Sequence, residues 1–200
     1  LLIGKTCLNS LKLFKIINRS NLHLLKKFLN EIFMKDCLCV GRVEQYRNNG
    51  DYRAFRIAGE PVLICKDEGE AIRAFANVCR HRGVEVIQGE GNVKEFTCPY
   101  HAWVYSLDGS LVGAPYSNEV SDFDWKSCGL KAIQLNTWAG YIFINFNPAA
   151  ESLDEFLELN QVQELAGFLS AEDTRIADVY TFDIECNWKF IPENLMDIYH

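Results

Sequence analysis

Two short pairs of metal-binding residues constrain this chain more than any other feature of its sequence. Cys79 and His81 form the first pair, Cys98 and His101 form the second, and residues 82–97 separate the pairs. Each pair offers one thiolate and one imidazole, so together they could hold a zinc ion or a [2Fe-2S] cluster. The chain has four His, and two of them stand in these pairs, so chance placement explains the pattern poorly.

The order of the ligands favours iron and sulfur over zinc. Zinc fingers usually group like residues, two Cys and then two His, whereas each pair here mixes the two types. Mixed pairs suit a Rieske cluster, in which both thiolates bind one iron and both imidazoles bind the other. Gly83 permits a tight loop, and Pro99 fixes one dihedral angle in the second loop. A zinc site and ordinary buried Cys and His are the alternatives.

A cluster of this kind acts as a one-electron carrier. With neutral imidazoles, two ferric ions, two sulfides and two thiolates sum to zero charge, so the cluster accepts an electron more readily than a four-thiolate cluster does. Its potential then lies at roughly −150 to +300 mV. Because protein ligands fill every iron position, substrate chemistry requires a second site elsewhere in the chain.

The composition excludes other classes of protein. A net charge of −7 argues against a nucleic-acid partner, and no apolar run approaches the roughly 20 residues of a membrane span. With 48% hydrophobic residues, the chain can bury a core. Apart from Cys79 and Cys98, the Cys residues are scattered, which indicates a reducing, cytoplasmic setting rather than a disulfide framework.

The apolar pattern predicts a small antiparallel β domain over residues 38–148, with the two metal-binding loops at its tip. Residues 1–37 are expected to be a helical or unstructured segment that ends in a helix over 30–35. Strands of the β domain are expected at 38–43, 52–57, 61–66, 71–78, 93–97, 102–106 and 140–146. A hairpin turn is expected at 58–60 and a second turn at 107–110.

After residue 148 the pattern changes to that of a second domain, residues 149–200. Residues 151–170 carry apolar side chains at helical spacing among acidic ones, and 179–186 alternate in part as a strand does. Pro192 suits the first turn of a final helix. The fold class is therefore α+β: an antiparallel all-β domain followed by the truncated start of an α+β domain.

On the final helix, Glu193, Asp197 and His200 are spaced to share one face. A carboxylate and an imidazole three residues apart can act together at a metal, but this spacing alone is a weak signal. Taken alone, Asp197 is as easily a solvated carboxylate and His200 a His without a role.

Three stretches resemble the large (alpha) subunit of Rieske non-heme iron oxygenases, the ring-hydroxylating oxygenase family. Two are the metal-binding loops and one is the final segment, and they cover 77–83, 97–103 and 187–200. Residues 31–33 and 40–42 are also similar to that family, although Cys37 stands where the family more often has Trp. The resemblance spans most of residues 31–200.

The resemblance implies a second metal site. The family's mononuclear Fe(II) is held by two His and one carboxylate, and His200 matches the first of these His. Asp197 matches a catalytic residue that links this iron to the cluster of a neighbouring subunit by accepting hydrogen bonds from imidazoles such as that of His101. The other two iron ligands would follow His200, so the chain is expected to be the N-terminal part of a longer oxygenase and inactive alone.

The resemblance also implies partners. An oxygenase of this family takes electrons from a reductase or ferredoxin and uses O2 to hydroxylate an aromatic or other small organic substrate, and its full-length subunits form a homo-oligomeric, trimer-type ring. Arg80 and Arg82 are candidates for docking an acidic electron donor, and Tyr100 and Trp103 for shielding the cluster loop.

Two other functions stay open from the residues. One is a Rieske ferredoxin, an electron carrier without oxygenase activity, and the other is a zinc-stabilised binding module. The chain beyond Pro148 discriminates against a carrier, because a carrier needs nothing after its β domain.

Overall fold

The described part of the chain folds into two antiparallel β-sheets. The computed structural model describes residues 26–119, 121–159, 174–180, 182–187 and 189–197. Within them, the larger sheet has the strand order β1-β10-β9-β4-β3-β2-β5 and the smaller sheet the order β6-β7-β8. The strands are β1 (Leu38–Arg42), β2 (Asp51–Ile57), β3 (Glu60–Lys66), β4 (Ile72–Ala76), β5 (Glu90–Asn92), β6 (Glu95–Thr97), β7 (Val104–Ser106), β8 (Leu111–Gly113), β9 (Ala132–Trp138) and β10 (Tyr141–Asn145).

The predicted hairpin between β2 and β3 is confirmed, and its turn explains why it forms. Ala58 and Gly59 both adopt positive φ angles, of 54° and 91°. Two such residues make the type I′ turn whose twist matches that of the flanking strands. The resulting register pairs Ile57 with Glu60 and Phe55 with Val62.

Strand β3 lies between two hydrophobic cores, which is why its sequence is continuously apolar. Leu63 and Cys65 face the first core, which contains residues of the small sheet together with Cys79 and Cys98. Val62 and Ile64 face the second core, where they meet residues of β4 and β10. The first core therefore forms the floor beneath the two metal-binding loops.

Three strands were not anticipated from the sequence. Strand β9 lies between β10 and β4, and its burial does not alternate along the strand, so it lacks the period-two signal. Strand β5 is exposed throughout and contains Gly91. Strand β8 has only three residues and takes its place by pairing with β7.

The chain after β10 differs from the prediction where a strand was expected. The predicted strand over 179–186 is wrong for the described residues, because 174–180 and 182–187 contain no strand. Alternating apolar residues need a neighbouring strand to bond their main chain, and here Tyr180, Phe182 and Ile184 are exposed instead.

Short helices follow the β strands. Helix α1 (Leu153–Phe156) begins with a capping box, in which Ser152 and Glu155 each bond the other's main-chain N–H. The helix predicted over 151–170 is wrong at residues 157 and 158, which form a turn after α1, with Glu158 at a φ of 48°. Residues 160–170 of that prediction lie outside the described residues. Helix α2 (Phe190–Met196) confirms the final helix, with Pro192 in its first turn.

The N-terminal helix is confirmed where it is described. A helical turn at residues 26–28 continues into a π-helical turn, Leu29–Phe33. The prediction for residues 1–25 lies outside the described residues. Within the described part of the chain, no helix has the length and apolar character needed to cross a membrane. The boundary at residue 148 stays a prediction, and β10 already ends at Asn145.

Candidate metal centre

The two metal-binding loops rise from different sheets and meet over the first core. The first loop joins β4 to β5, and the second joins β6 to β7. In the first, the Cys79 N–H donates to the Val84 carbonyl at 2.8 Å and the Gly83 N–H donates to the Cys79 carbonyl at 2.9 Å. Gly83 has a φ of 75°, which glycine adopts without strain. The first loop therefore folds back on itself around Cys79.

The second loop is shorter and closes through its own main chain. The Cys98 N–H donates to the Trp103 carbonyl at 2.7 Å, and the Ala102 N–H donates to the Cys98 carbonyl at 3.1 Å. Ala102 adopts a φ of 54°, a left-handed conformation that costs an alanine roughly 1 kcal/mol. These contacts turn the chain so that Cys98 and His101 both face the first loop.

The structure brings the four candidate ligands together and sorts them by exposure. Cys79 and Cys98 are buried, at 3% and 2% exposure, and their sulfur atoms lie within hydrogen-bonding reach of each other. The imidazoles of His81 and His101 are exposed, with ring centroids 4.7 Å apart. The sulfur donors thus face the core and the nitrogen donors face solvent.

The surroundings of the site shift the pKa of one donor of each type, the thiol of Cys98 and the imidazole of His81. Burial raises the pKa of the Cys98 thiol, and the adjacent Cys79 raises it further, while the main-chain N–H groups of Tyr100 and His101 donate to its sulfur and oppose the rise. Desolvation, followed by the neighbouring His101 and Arg82, lowers the pKa of His81. A lowered pKa favours the neutral imidazole, which is the form that binds metals.

Tyr105 is a contributor to the site that sequence reasoning missed. Its hydroxyl lies 3.2 Å from the Cys79 sulfur and accepts a hydrogen bond from the Arg80 N–H at 3.0 Å. Burial raises the pKa of the phenol, so it stays a neutral hydrogen-bonding group. The sequence did contain a signal for this role of Tyr105. Trp103 and Tyr105 are alternate residues of the strand predicted over 102–106, and alternate residues of a strand face the same side.

Aromatic rings contact both imidazoles. Trp103 stacks on His81 with ring centroids 4.9 Å apart and an interplanar angle of 8°, and Phe123 meets Trp103 edge to face at 5.8 Å. The Tyr100 ring lies 3.8 Å from that of His101. The expectation that Trp103 and Tyr100 shield the loops agrees with these contacts, and the rings limit how the imidazoles can rotate.

The donor set fits a [2Fe-2S] cluster. Two buried sulfurs receive main-chain and phenol hydrogen bonds, which stabilise the negative charge of bound thiolates, and two neighbouring imidazoles complete the set. Among the described residues, no three His, Cys, Asp or Glu side chains converge closely enough for a single metal ion. A two-iron cluster does not need that convergence, because each iron takes only two protein ligands.

The residues expected at the second metal site, Asp197 and His200, stand at the end of the sequence. His200 lies outside the described residues. Asp197 follows the last residue of α2 and is exposed, with an extended backbone. Its expected role involves a neighbouring subunit, so a single chain leaves that role a prediction. Arg80 and Arg82 are exposed beside His81.

Comparison with known proteins gives a family match and a set of relatives. Residues 36–124 match the model of the Rieske [2Fe-2S] domain. The chain is 35% identical over 170 residues to the carnitine monooxygenase oxygenase subunit of Escherichia coli K12, covering 84% of this chain and 46% of the relative. It is 34% identical over 173 residues to the 2-aminobenzenesulfonate 2,3-dioxygenase alpha subunit of an Alcaligenes species, covering 84% and 44%. The chain thus spans about half the length of these relatives.

Solved structures agree with the sequence comparison. A quaternary ammonium Rieske monooxygenase in complex with L-carnitine matches with a TM-score of 0.79 at 31% identity, covering 89% of this chain and 51% of the other. Naphthalene 1,2-dioxygenase with bound indole matches with a TM-score of 0.64 at 29% identity, covering 68% and 31%. This chain therefore carries a Rieske [2Fe-2S] domain, and its similarity to the oxygenase subunits of Rieske non-heme iron oxygenases extends well past that domain.

Proposed function

We propose that this chain is the electron-receiving part of an oxygenase subunit. Cys79 and Cys98 would bind one iron of a Rieske [2Fe-2S] cluster, and His81 and His101 would bind the other. When bound, the cluster would supply storage for one electron at a time at a mild potential. The full-length protein would use those electrons at a mononuclear Fe(II) site to hydroxylate a small organic substrate with O2.

One observation carries this proposal against a pure electron carrier. The Rieske match ends at residue 124, whereas the alignment with the carnitine monooxygenase subunit extends over 170 residues. A carrier would be expected to share the Rieske domain alone. The similarity of the remaining residues supports a subunit in which that domain is joined to a catalytic domain.

The exposure of the imidazoles supports one face of the site as the docking surface for an electron donor. The buried sulfurs of Cys79 and Cys98 exclude water from one side of the site, and the exposed imidazoles of His81 and His101 are the groups that a partner can approach. An electron-donor protein, a reductase or ferredoxin, would dock at this face. Arg80 beside His81 is exposed and would favour an acidic donor.

The second half of the proposal concerns the mononuclear iron. His200 would be one of its ligands, and the other ligands would come from residues that follow it in the full-length protein. Asp197 would accept hydrogen bonds from a cluster imidazole of one subunit and an iron-bound imidazole of the next, in a ring of like subunits. A carboxylate in that position orients both imidazoles at once.

A quaternary ammonium compound is the substrate class to test first. The carnitine-bound monooxygenase matches with a TM-score of 0.79, against 0.64 for naphthalene dioxygenase. An aromatic compound is the second class, supported by the relatives named as dioxygenases. Single-turnover assays of the full-length enzyme with one compound of each class would rank them.

Metal analysis and turnover test the proposal in two steps. The reconstituted chain should contain two irons and two sulfides and should show the rhombic electron paramagnetic resonance spectrum of a reduced Rieske cluster. Colourless protein with one zinc would overturn the proposed ligand set. The full-length protein, given a donor and substrate, should consume O2 and form hydroxylated product; a loaded cluster without O2 consumption would favour the carrier.

Replacing Asp197 tests the link between the two metals. In the full-length enzyme, Asp197→Ala should keep the cluster spectrum and lose most of the product formation, because the electron no longer reaches the mononuclear iron. The matched control is Asp183→Ala, which removes another exposed carboxylate and should leave turnover unchanged. Normal turnover in Asp197→Ala would remove this residue from the electron path.

A further inference from the structure

The side chain of Asn77 is almost fully buried, at 1% exposure, and forms hydrogen bonds to main-chain groups. Its Oδ1 accepts hydrogen bonds from the N–H groups of Val86 and Ile87, at 3.1 and 3.2 Å. Its Nδ2 donates to the Ile87 carbonyl at 2.7 Å. One carboxamide therefore satisfies three main-chain groups at a single point of the chain.

These bonds close the first metal-binding loop at its base. Asn77 directly follows β4, and residues 78–85, which include Cys79 and His81, lie between the two bonded ends. The Asn77 N–H donates to the Pro61 carbonyl of β3 at 2.9 Å. The closure is thus anchored to the larger sheet rather than to another loop.

The groups inside the closure depend on its geometry. Val86 is buried in the same core as Cys79 and Cys98, so moving residues 86 and 87 would disturb the floor of the site. The Cys79 N–H bonds the Val84 carbonyl, and the Arg80 N–H bonds Tyr105. His81 lies within the same closure, so the position of its exposed ring against Trp103 depends on how the loop is closed.

We propose that Asn77 is a positioning residue that holds Cys79 and His81 at the separation and orientation the cluster requires. This inference rests on the ligand set of the proposed function. The second loop needs no counterpart, because it closes through the Cys98 N–H and the Trp103 carbonyl of its own main chain. Loss of the Asn77 carboxamide leaves three polar groups at residues 86 and 87 without their partner, and the first loop opens to give them water.

The chain contains a matched control in Asn145. This residue is also buried, at 4% exposure, and its side chain also bridges main-chain groups: Nδ2 donates to the Lys35 carbonyl at 2.8 Å, and Oδ1 accepts from the Asn147 N–H at 2.8 Å. It lies on β10, whose Ile142 and Ile144 belong to the second core, whereas the metal-binding loops lie over the first core. Replacing Asn145 should lower the thermal stability without changing the cluster site.

The test uses the full-length protein with its cluster loaded and compares Asn77→Ala, Asn77→Ser, Asn145→Ala and Asn145→Ser. The half-time of cluster loss to an iron chelator should shorten by about tenfold or more in Asn77→Ala, as expected for orphaned buried groups. Asn77→Ser should lie between Asn77→Ala and wild type, because its hydroxyl can still accept one N–H. Both Asn145 variants should stay within about twofold of wild type despite a lower Tm.

The electron paramagnetic resonance spectrum supplies a readout that general destabilisation does not move. The g values of the reduced cluster should shift in the Asn77 variants and stay unchanged in the Asn145 variants. Equal chelation rates and identical g values in the two sets would overturn the inference. If Asn77→Ala does not fold, the two serine variants decide by the same criteria. A wild-type chain that takes up no cluster would instead refute the proposed function.

Discussion

The two metal-binding loops present the same pair of donors, one Cys and one His, but different forces hold them. The first loop is closed by the buried side chain of Asn77, and its Arg80 N–H donates to the hydroxyl of Tyr105 on β7. The second loop closes through its main chain, with Ala102 in a left-handed conformation. Its N–H groups, those of Tyr100 and His101, also donate to the Cys98 sulfur.

The difference follows from the lengths of the loops. In the second, Cys98 and Trp103 are close enough in sequence for one turn of main chain to join them. The first spans residues 77–89 between its strands, and ordering it costs more conformational entropy. Side-chain bonds offset that cost. We therefore expect the first loop to be more sensitive than the second to the loss of side-chain polar groups.

Removing a thiolate should have the largest effect, and the same effect in either loop. Cys79→Ala and Cys98→Ala should each lower the iron and sulfide content of the purified chain to near zero, because the iron that they share would keep only one protein ligand. Cys65→Ala is the control, since Cys65 is equally buried in the first core and its thiol donates to the Leu107 carbonyl. Substantial cluster content in either ligand variant would contradict the assignment.

Exchanging an imidazole for a thiolate should shift the potential in both loops. His81→Cys and His101→Cys each add one negative charge to the cluster, so the reduction potential should fall by on the order of 100–300 mV. Protein-film voltammetry would measure the fall. A fall in both variants would support both imidazoles as cluster ligands, whereas an unchanged or raised potential in one loop would remove that His from the ligand set.

A smaller effect should distinguish the loops. Tyr105→Phe removes the hydroxyl that lies beside the Cys79 sulfur, and with it a hydrogen bond that favours the more negative, reduced cluster. The potential should fall by on the order of 20–60 mV, the equivalent of one net hydrogen bond. Tyr100→Phe in the second loop is the control, because Tyr100 is exposed. An equal fall in both variants would show that the phenol beside Cys79 has no special effect.

Much of this site was predictable because ligand chemistry is local in sequence. The mixed Cys and His pairs identify candidate ligands without any knowledge of the fold, and the strand patterns around them place both pairs on loops. The roles of Tyr105 and Asn77 were not predictable in the same way. Tyr105 reaches Cys79 only because β7 packs over the first core, and Asn77 bonds residues 86 and 87 only once the loop has closed.

The fold shows the same limit. The β2–β3 hairpin was predictable because its turn residues and the two apolar strands beside them lie within one short stretch. Strand β9 was not, because its place is set by pairing with β10 and β4 on its two sides rather than by its own pattern. Residues 179–186 show the opposite error: part of the segment alternates, but pattern alone does not supply a neighbouring strand.

The smallest predicted effect concerns backbone conformation and should have opposite signs in the two loops. Gly83 in the first loop and Ala102 in the second both have positive φ, of 75° and 54°. Gly83→Ala should destabilise the chain by about 1 kcal/mol through the conformational cost alone, since no atom lies within 4 Å of the position that the new Cβ would take. Ala102→Gly should relieve the same cost, and the greater freedom of glycine in the unfolded chain would offset part of the gain. Thermal unfolding of the loaded protein should therefore give a Tm a few degrees lower for Gly83→Ala and equal or slightly higher for Ala102→Gly. A clear loss of stability in Ala102→Gly would show that the methyl group of Ala102 contributes packing to the second loop, and that its main chain is not the only element holding the loop closed.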